Sequence, residues 1–213
     1  MAAEDIDIGA GTRDVYLPIK LQTDRGSIDC RYYRSEGAEK AAIFVGGVGG
    51  DFDSPANNLY LRLCRELVPK GLSSLRIEYR HSTDLTESVF DALIGLEFLK
   101  GEGIKSVGLV GHSFGGAVVI KAAVVSPIIR TVVCLATQSY GADVVSNLRP
   151  GQSIFLIHGT SDTVLPPRAS TSIYEMAHEP KKLLLYKGAG HVLNEAAEEI
   201  HRMVRNWLLE ELK

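Results

Sequence analysis

Hydrophobic residues are not spread evenly along this chain. Past residue 40 they gather into short runs, AAIFV (41–45), LSSLRIEY (72–79), SVGLVG (106–111), TVVCLAT (131–137), SIFLIHG (153–159) and KLLLYK (182–187), separated by stretches of helical period. Runs that are apolar without strict alternation suit strands covered on both faces, as in a parallel sheet. The stretches between them predict helices. Residues 56–70 carry Leu59, Leu63 and Leu67 on one face, with Gly71 as a stop. Residues 84–100 open on Asp84 and Glu87 in capping-box spacing and align Val89, Leu93, Leu96 and Leu99. Further helices are predicted at 114–125, about 169–177 and about 195–212. Ahead of this alternation, VYLPIKLQT (15–23) and SIDCRYYR (27–34) flank the turn DRG and predict a hairpin. The predicted fold class is α/β: a mostly parallel, doubly wound sheet with an N-terminal antiparallel hairpin. Residues 1–213 read as a single domain without repeats or low-complexity linkers.

Composition narrows the function classes. Apolar residues make up 45% and charged residues 23%, an ordinary globular balance, and the net charge of −3 offers no electrostatic footprint for nucleic acid. No apolar run is long enough for a membrane span, so no membrane insertion is expected. The first residues, MAAEDIDIGAGTRD, are acidic and lack the basic start and apolar stretch of a signal peptide, which leads to the expectation of a cytoplasmic protein. Cys30, Cys64 and Cys134 lie far apart and read as reduced core thiols. No histidine pair has metal-ligand spacing, so neither a metal nor another cofactor is expected.

Two motifs carry chemistry. Gly111-His112-Ser113-Phe114-Gly115 has the G-x-S-x-G pattern and sits where an apolar strand gives way to a helix, the setting in which small flanking residues force a serine into an exposed, strained turn. A serine hydroxyl needs a base to become a nucleophile, usually a histidine oriented by a carboxylate. His191 follows the last predicted strand and Asp162 the one before it, so Ser113, Asp162 and His191 all lie beyond the carboxyl ends of strands, where open α/β sheets bind ligands. Asp143 follows a neighbouring strand and competes with Asp162 for the acidic role. The second motif, FVGGVGG (44–50), ends a strand in glycines. It lacks the Lys-Ser or Lys-Thr ending of a phosphate loop, and Phe52 stands where a dinucleotide fingerprint starting at Gly47 needs its third glycine.

In order and context these motifs resemble the α/β-hydrolase family over nearly the whole chain. The resemblance implies that Ser113 is the nucleophile, His191 the general base and then acid, and Asp162 the group that orients the imidazole. It also assigns the glycine loop: one backbone donor of the oxyanion hole comes from Val48, with Gly47 the second choice, and the other from Phe114. Many members carry a histidine where this chain has Gly46, a departure that bears on the loop's scaffolding but not on its backbone donors. Asp51, Asp53 and Ser54 lie close to the expected site and suit either a helix-entry turn or substrate contact. His81 reads first as a plain loop residue and second as a pocket-lining one, while His112, His158, His178 and His201 read as structural or surface residues.

The expected activity is that of a serine hydrolase cleaving a small ester or thioester through an acyl-enzyme, with carboxylesterase the specific expectation. The partner is a small-molecule acyl substrate, and the sequence leaves the oligomeric state open. The rivals are a hydrolase-fold receptor or interaction protein with little catalysis, and a thioesterase or peptidase on the same scaffold. Only residues 138–151 separate two of the predicted strands at the usual place for a cap domain, which predicts an open cleft and short acyl groups.

Overall fold

The computed structural model describes residues 15–213; the N-terminal segment read above for targeting signals lies outside them. Two antiparallel strands, β1 (Leu17–Thr23) and β2 (Gly26–Tyr33), lead into an alternation of strands and helices. These are β3 (Lys40–Val45), α1 (Pro55–Leu67), β4 (Leu72–Ile77), α2 (Leu85–Gly101), β5 (Ser106–His112), α3 (Phe114–Val125), β6 (Ile129–Leu135), β7 (Ser153–Gly159), α4 (Arg168–Met176), β8 (Lys181–Tyr186) and α5 (Ala197–Glu211). The strands form one eight-stranded sheet in the order β1-β2-β4-β3-β5-β6-β7-β8, parallel from β4 to β8, with the hairpin joined antiparallel to β4. This is the α/β-hydrolase fold expected from the sequence.

The strands lack polar alternation because both faces are covered. In β3, Ala41, Ile43 and Val45 join a core with Leu96, Leu99, Val118 and Ile120, while Ala42 and Phe44 join a second core with Leu59, Leu63, Val204 and Leu208. Helices α2 and α3 therefore lie on one face, and α1 and α5 on the other. Helix α3 is buried on nearly all sides, which is why its sequence shows no polar stripe.

Two local departures from the sequence reading have physical causes. Asp84 caps α2 by accepting from the N–H groups of Thr86 and Glu87, but Glu87 does not reach back; its carboxylate pairs with Arg25 and Arg80. The start of α1 is not right-handed: Ala56, Asn57 and Asn58 have φ of 49°, 51° and 59°. Tertiary bonds hold that turn, from Ala56 N–H to the Val192 carbonyl at 2.7 Å and from Asn57 N–H to Asn194 Oδ1 at 2.9 Å.

The topology creates the site. β3 lies between β4 and β5, so successive crossovers leave it in opposite directions at this point. Register pairs Val45 with Gly111, which sets the glycine loop leaving β3 beside the turn that follows β5.

Candidate active site

Ser113 stands between β5 and α3 with φ 55° and ψ −116°, a backbone conformation costly for any residue but glycine. Its surroundings hold it there. Its N–H donates to the Leu135 carbonyl at 2.8 Å, and its carbonyl accepts from Gly116 and Gln138. A side chain at Gly111 would collide with the Gly115 backbone, and one at Gly115 with the Gly46 carbonyl. The two motif glycines thus serve close backbone approach on either side of the serine.

The structure brings Ser113, His191 and Asp162 into one hydrogen-bonded chain. His191 Nε2 lies 3.0 Å from Ser113 Oγ, and His191 Nδ1 lies 2.7 Å from Asp162 Oδ2. The Asp162 side chain is fully buried. Its Oδ1 accepts the N–H groups of Val164 and Leu165 at 2.8 and 2.9 Å. Burial alone would raise the carboxyl pKa, but the bonds from His191, Leu165 and Val164 outweigh it and hold the group below the usual carboxylate range. Asp143 makes no hydrogen bond or ion pair with His191: it is exposed and begins a 3₁₀ turn, Asp143–Asn147.

Two histidines read from the sequence as structural touch this chain. His158, fully buried at the end of β7, places Nε2 at 3.0 Å from Asp162 Oδ2 and 3.1 Å from the Leu165 carbonyl. Both partners are acceptors, so Nε2 carries the proton and Nδ1 accepts from Ser170 Oγ at 2.7 Å. His112 is 4% exposed, packs its ring 4.9 Å from that of His191, and places Nε2 at 3.1 Å from the His191 carbonyl. Its Nε2–H therefore ties the loop that carries His191. The only sequence signal for either was position, four residues before Asp162 and one before Ser113. His81 and His178 are exposed, and His201 faces Glu66 from α5.

Burial drives the pKa of His112 down to about 4. The unfolded chain, with a histidine near 6.5, then binds the proton more readily, so this group's contribution is complete above about pH 6.5 and is lost as pH falls towards 4, by up to about 3 kcal/mol. His158 is lowered by burial and acts with the same sign. Asp162, depressed instead, loses its contribution only as pH falls below its unfolded value of about 3.9. Substituting His112→Gln is expected to flatten the fall in Tm between pH 6.5 and 4, followed by calorimetry. An unchanged slope would place the acid sensitivity elsewhere.

The glycine loop meets the serine from the other side. A side chain at Gly47 would lie 3.5 Å from Ser113 Cβ. Val48 is 54% exposed, and its N–H has no acceptor among the described residues. Phe114, as the first residue of α3, has no intrahelical acceptor for its own N–H. Gly46 has a steric reason: Asp53 Cβ lies 3.2 Å from where its side chain would start. Asp51 and Asp53 cap local turns through the N–H groups of Phe52 and Ser54, and Asp53 Oδ2 faces His112 Nδ1 at 4.0 Å.

Among the described residues no group of three His, Cys, Asp or Glu side chains is placed to hold a metal, and no helix is long and apolar enough to cross a membrane. The three cysteines are buried and lie outside any disulfide.

The fold is shared with solved structures at low identity. A dienelactone hydrolase from Anabaena variabilis superposes with a TM-score of 0.81 at 18% identity, covering 93% of this chain and 99% of that one. Est1E from Butyrivibrio proteoclasticus gives 0.76 at 16%, covering 91% and 98%. The esterase domain of a Rhodothermus marinus protein gives 0.74 at 17%, covering 93% and 100%. No curated protein sequence matches the chain. The sequence model of the dienelactone hydrolase family matches residues 69–206, a span that contains Ser113, Asp162 and His191 but not the glycine loop, and the chain belongs to that family.

Proposed function

We propose that this hydrolase is a serine carboxylesterase acting on small esters through a covalent acyl-enzyme. The observation that carries the reading is the chain of two short hydrogen bonds from Ser113 through His191 to the buried Asp162. Ser113 Oγ attacks the acyl carbon as its proton passes to His191 Nε2. The carbonyl oxygen, now an anion, is met by the N–H groups of Phe114 and Val48, with Gly47 beside them. Collapse of this intermediate breaks the ester bond, and the departing alcohol takes the proton from His191. Water, deprotonated by the same nitrogen, then repeats the sequence on the acyl-enzyme and releases the acid and free Ser113. Asp162 stays ionised and stabilises the imidazolium in both halves.

The shape of the site supports compact acyl groups. Between β6 and β7 the chain makes only the 3₁₀ turn Asp143–Asn147. A cavity of about 390 Å³ is lined by Gln138, Tyr140, Leu165, Pro166 and Arg168. Gln138 is bonded to Ser113, and Leu165 to Asp162. Such a space suits a short or single-ring acyl group, and each methylene beyond it stays in water and adds none of the roughly 0.8 kcal/mol that burial supplies. Across p-nitrophenyl esters from acetate to palmitate, kcat/KM is expected to peak at short chains with no jump when the substrate aggregates. A steady rise to palmitate would mean that a deep acyl tunnel exists.

Labelling with a fluorophosphonate and mapping the modified peptide tests the nucleophile itself, because the reagent requires an activated serine. Label on Ser113, lost in Ser113→Ala, is the expected result. Folded protein that takes no label would favour the rival reading of a binding protein built on the hydrolase fold.

A further inference from the structure

We propose that Ser82, in the connection between β4 and α2, is the positioning residue of the oxyanion loop. The inference rests on the hydrolase reading above and concerns how a loop made almost wholly of glycine keeps its donor aimed. Residues 46–50 are Gly-Gly-Val-Gly-Gly, and no backbone hydrogen bond closes them on themselves among the described residues. Peptides flanked by glycine rotate at little cost, so a turn of this composition does not preserve its own geometry.

The brace comes from outside the loop. Ser82 Oγ donates to the Val48 carbonyl at 3.0 Å and sits 3.5 Å from where a side chain at Gly50, φ 70°, would start. Val48 and Gly49 are the central pair of a turn. Pinning the Val48 carbonyl stops the Val48–Gly49 peptide from flipping and fixes ψ at Val48, which limits through the Val48 Cα how far the preceding peptide, the one that carries the Val48 N–H, can turn. The other end of the loop is held separately: Arg76 donates to the Phe52 carbonyl, and the Arg31 guanidinium lies 4.0 Å over the Phe52 ring.

Ser82 is itself firmly placed. Two residues earlier, the Arg80 main-chain N–H and Nε donate to the two oxygens of Asp91 at 2.9 and 2.6 Å. The Arg80 side chain is 5% exposed and that of Asp91 fully buried. His81 gives its carbonyl to Ser88 Oγ and to Asp84 N–H, both at 3.0 Å. The hydroxyl is thus carried by a turn tied to a buried carboxylate on α2 and requires no reorganisation as charge develops on the substrate. This is the support that a loop without a histidine at Gly46 needs.

The test uses p-nitrophenyl acetate and phenylboronic acid, which forms a tetrahedral adduct with an activated serine. Ser82→Ala is expected to lower kcat about tenfold with KM unchanged and to raise the phenylboronate Ki by the same factor, without altering the pH profile or Tm, and Ser82→Thr is expected to recover most of the loss. The decisive variant is Val48→Pro, which removes the N–H at a turn position that accepts proline. In that background Ser82→Ala is expected to cost nothing further, since the group it positions is gone. An unchanged kcat and Ki in Ser82→Ala, or a full tenfold loss in the Val48→Pro background, would overturn the assignment. Wild-type protein that neither turns over the ester nor takes fluorophosphonate would instead overturn the hydrolase reading, and this inference with it.

Discussion

Exchanging His191 for alanine is expected to lower kcat/KM for a short ester by about 10⁴- to 10⁶-fold while the protein stays folded. Among the described residues the base hydrogen-bonded to Ser113 Oγ is His191 Nε2 at 3.0 Å, and without it the hydroxyl must shed its proton to water. The fold should survive because Asp162, the buried group that loses a partner, keeps three others: the N–H groups of Val164 and Leu165 and the proton on His158 Nε2. A carboxylate so supplied is not left unpaired, and the cost in stability should be on the order of 1 kcal/mol. Ser113→Ala should give a similar loss, and the double substitution little more than either alone, since neither group works without the other. Retention of a tenth of the rate in His191→Ala would remove the residue from the mechanism, and additive losses would mean that the two act separately.

That Ser113, His191 and Asp162 can be picked out of a bare sequence follows from how an α/β sheet is built. Strands covered on both faces, such as β3 with Val45 and Phe44 in different cores, announce themselves as apolar runs, and the residues just past them collect at one edge. Serine between glycines, aspartate after HGTS and histidine after GAG each stood at such a point. What supports them was not legible, because direction decides it. Nothing in the order of residues says that His158 turns its Nε2–H onto Asp162, or that His112 donates to the carbonyl of His191.

The start of α1 makes the same point for the backbone. Pattern alone predicts an ordinary helix through Ala56, Asn57 and Asn58, yet all three are left-handed. Asparagine tolerates that conformation better than most residues, but tolerance does not select it. The selection comes from Val192 and Asn194, far along the chain and immediately after His191. Glu87 likewise fits a capping box by spacing and is claimed by Arg25 and Arg80 from other elements. Local signals fail where a long-range partner offers a stronger bond than the local one, and around this site such partners are common.

Asp162→Asn should lower kcat by about 10⁴-fold with little change in folding, and the geometry states why. The amide oxygen will stay beneath the N–H groups of Val164 and Leu165, which leaves its NH₂ where Oδ2 now accepts from His191 Nδ1. A donor at that place forces Nδ1 to become the acceptor, so the imidazole proton moves to Nε2 and points at Ser113 Oγ. The base is then present, at the right distance, in the wrong tautomer. The same NH₂ faces His158 Nε2 at 3.0 Å, and His158 meets it by moving its proton to Nδ1, where Ser170 Oγ accepts at 2.7 Å, so Tm should hold within a few degrees. Asp143→Asn is the matched control. That carboxylate is exposed at the first residue of a surface 3₁₀ turn, and its loss should change kcat less than about twofold, as expected for a surface substitution away from the chemistry. Steady-state kinetics on the two variants separates the roles. A larger loss in Asp143→Asn would reassign the acid, and a small loss in both would remove an orienting carboxylate from the mechanism.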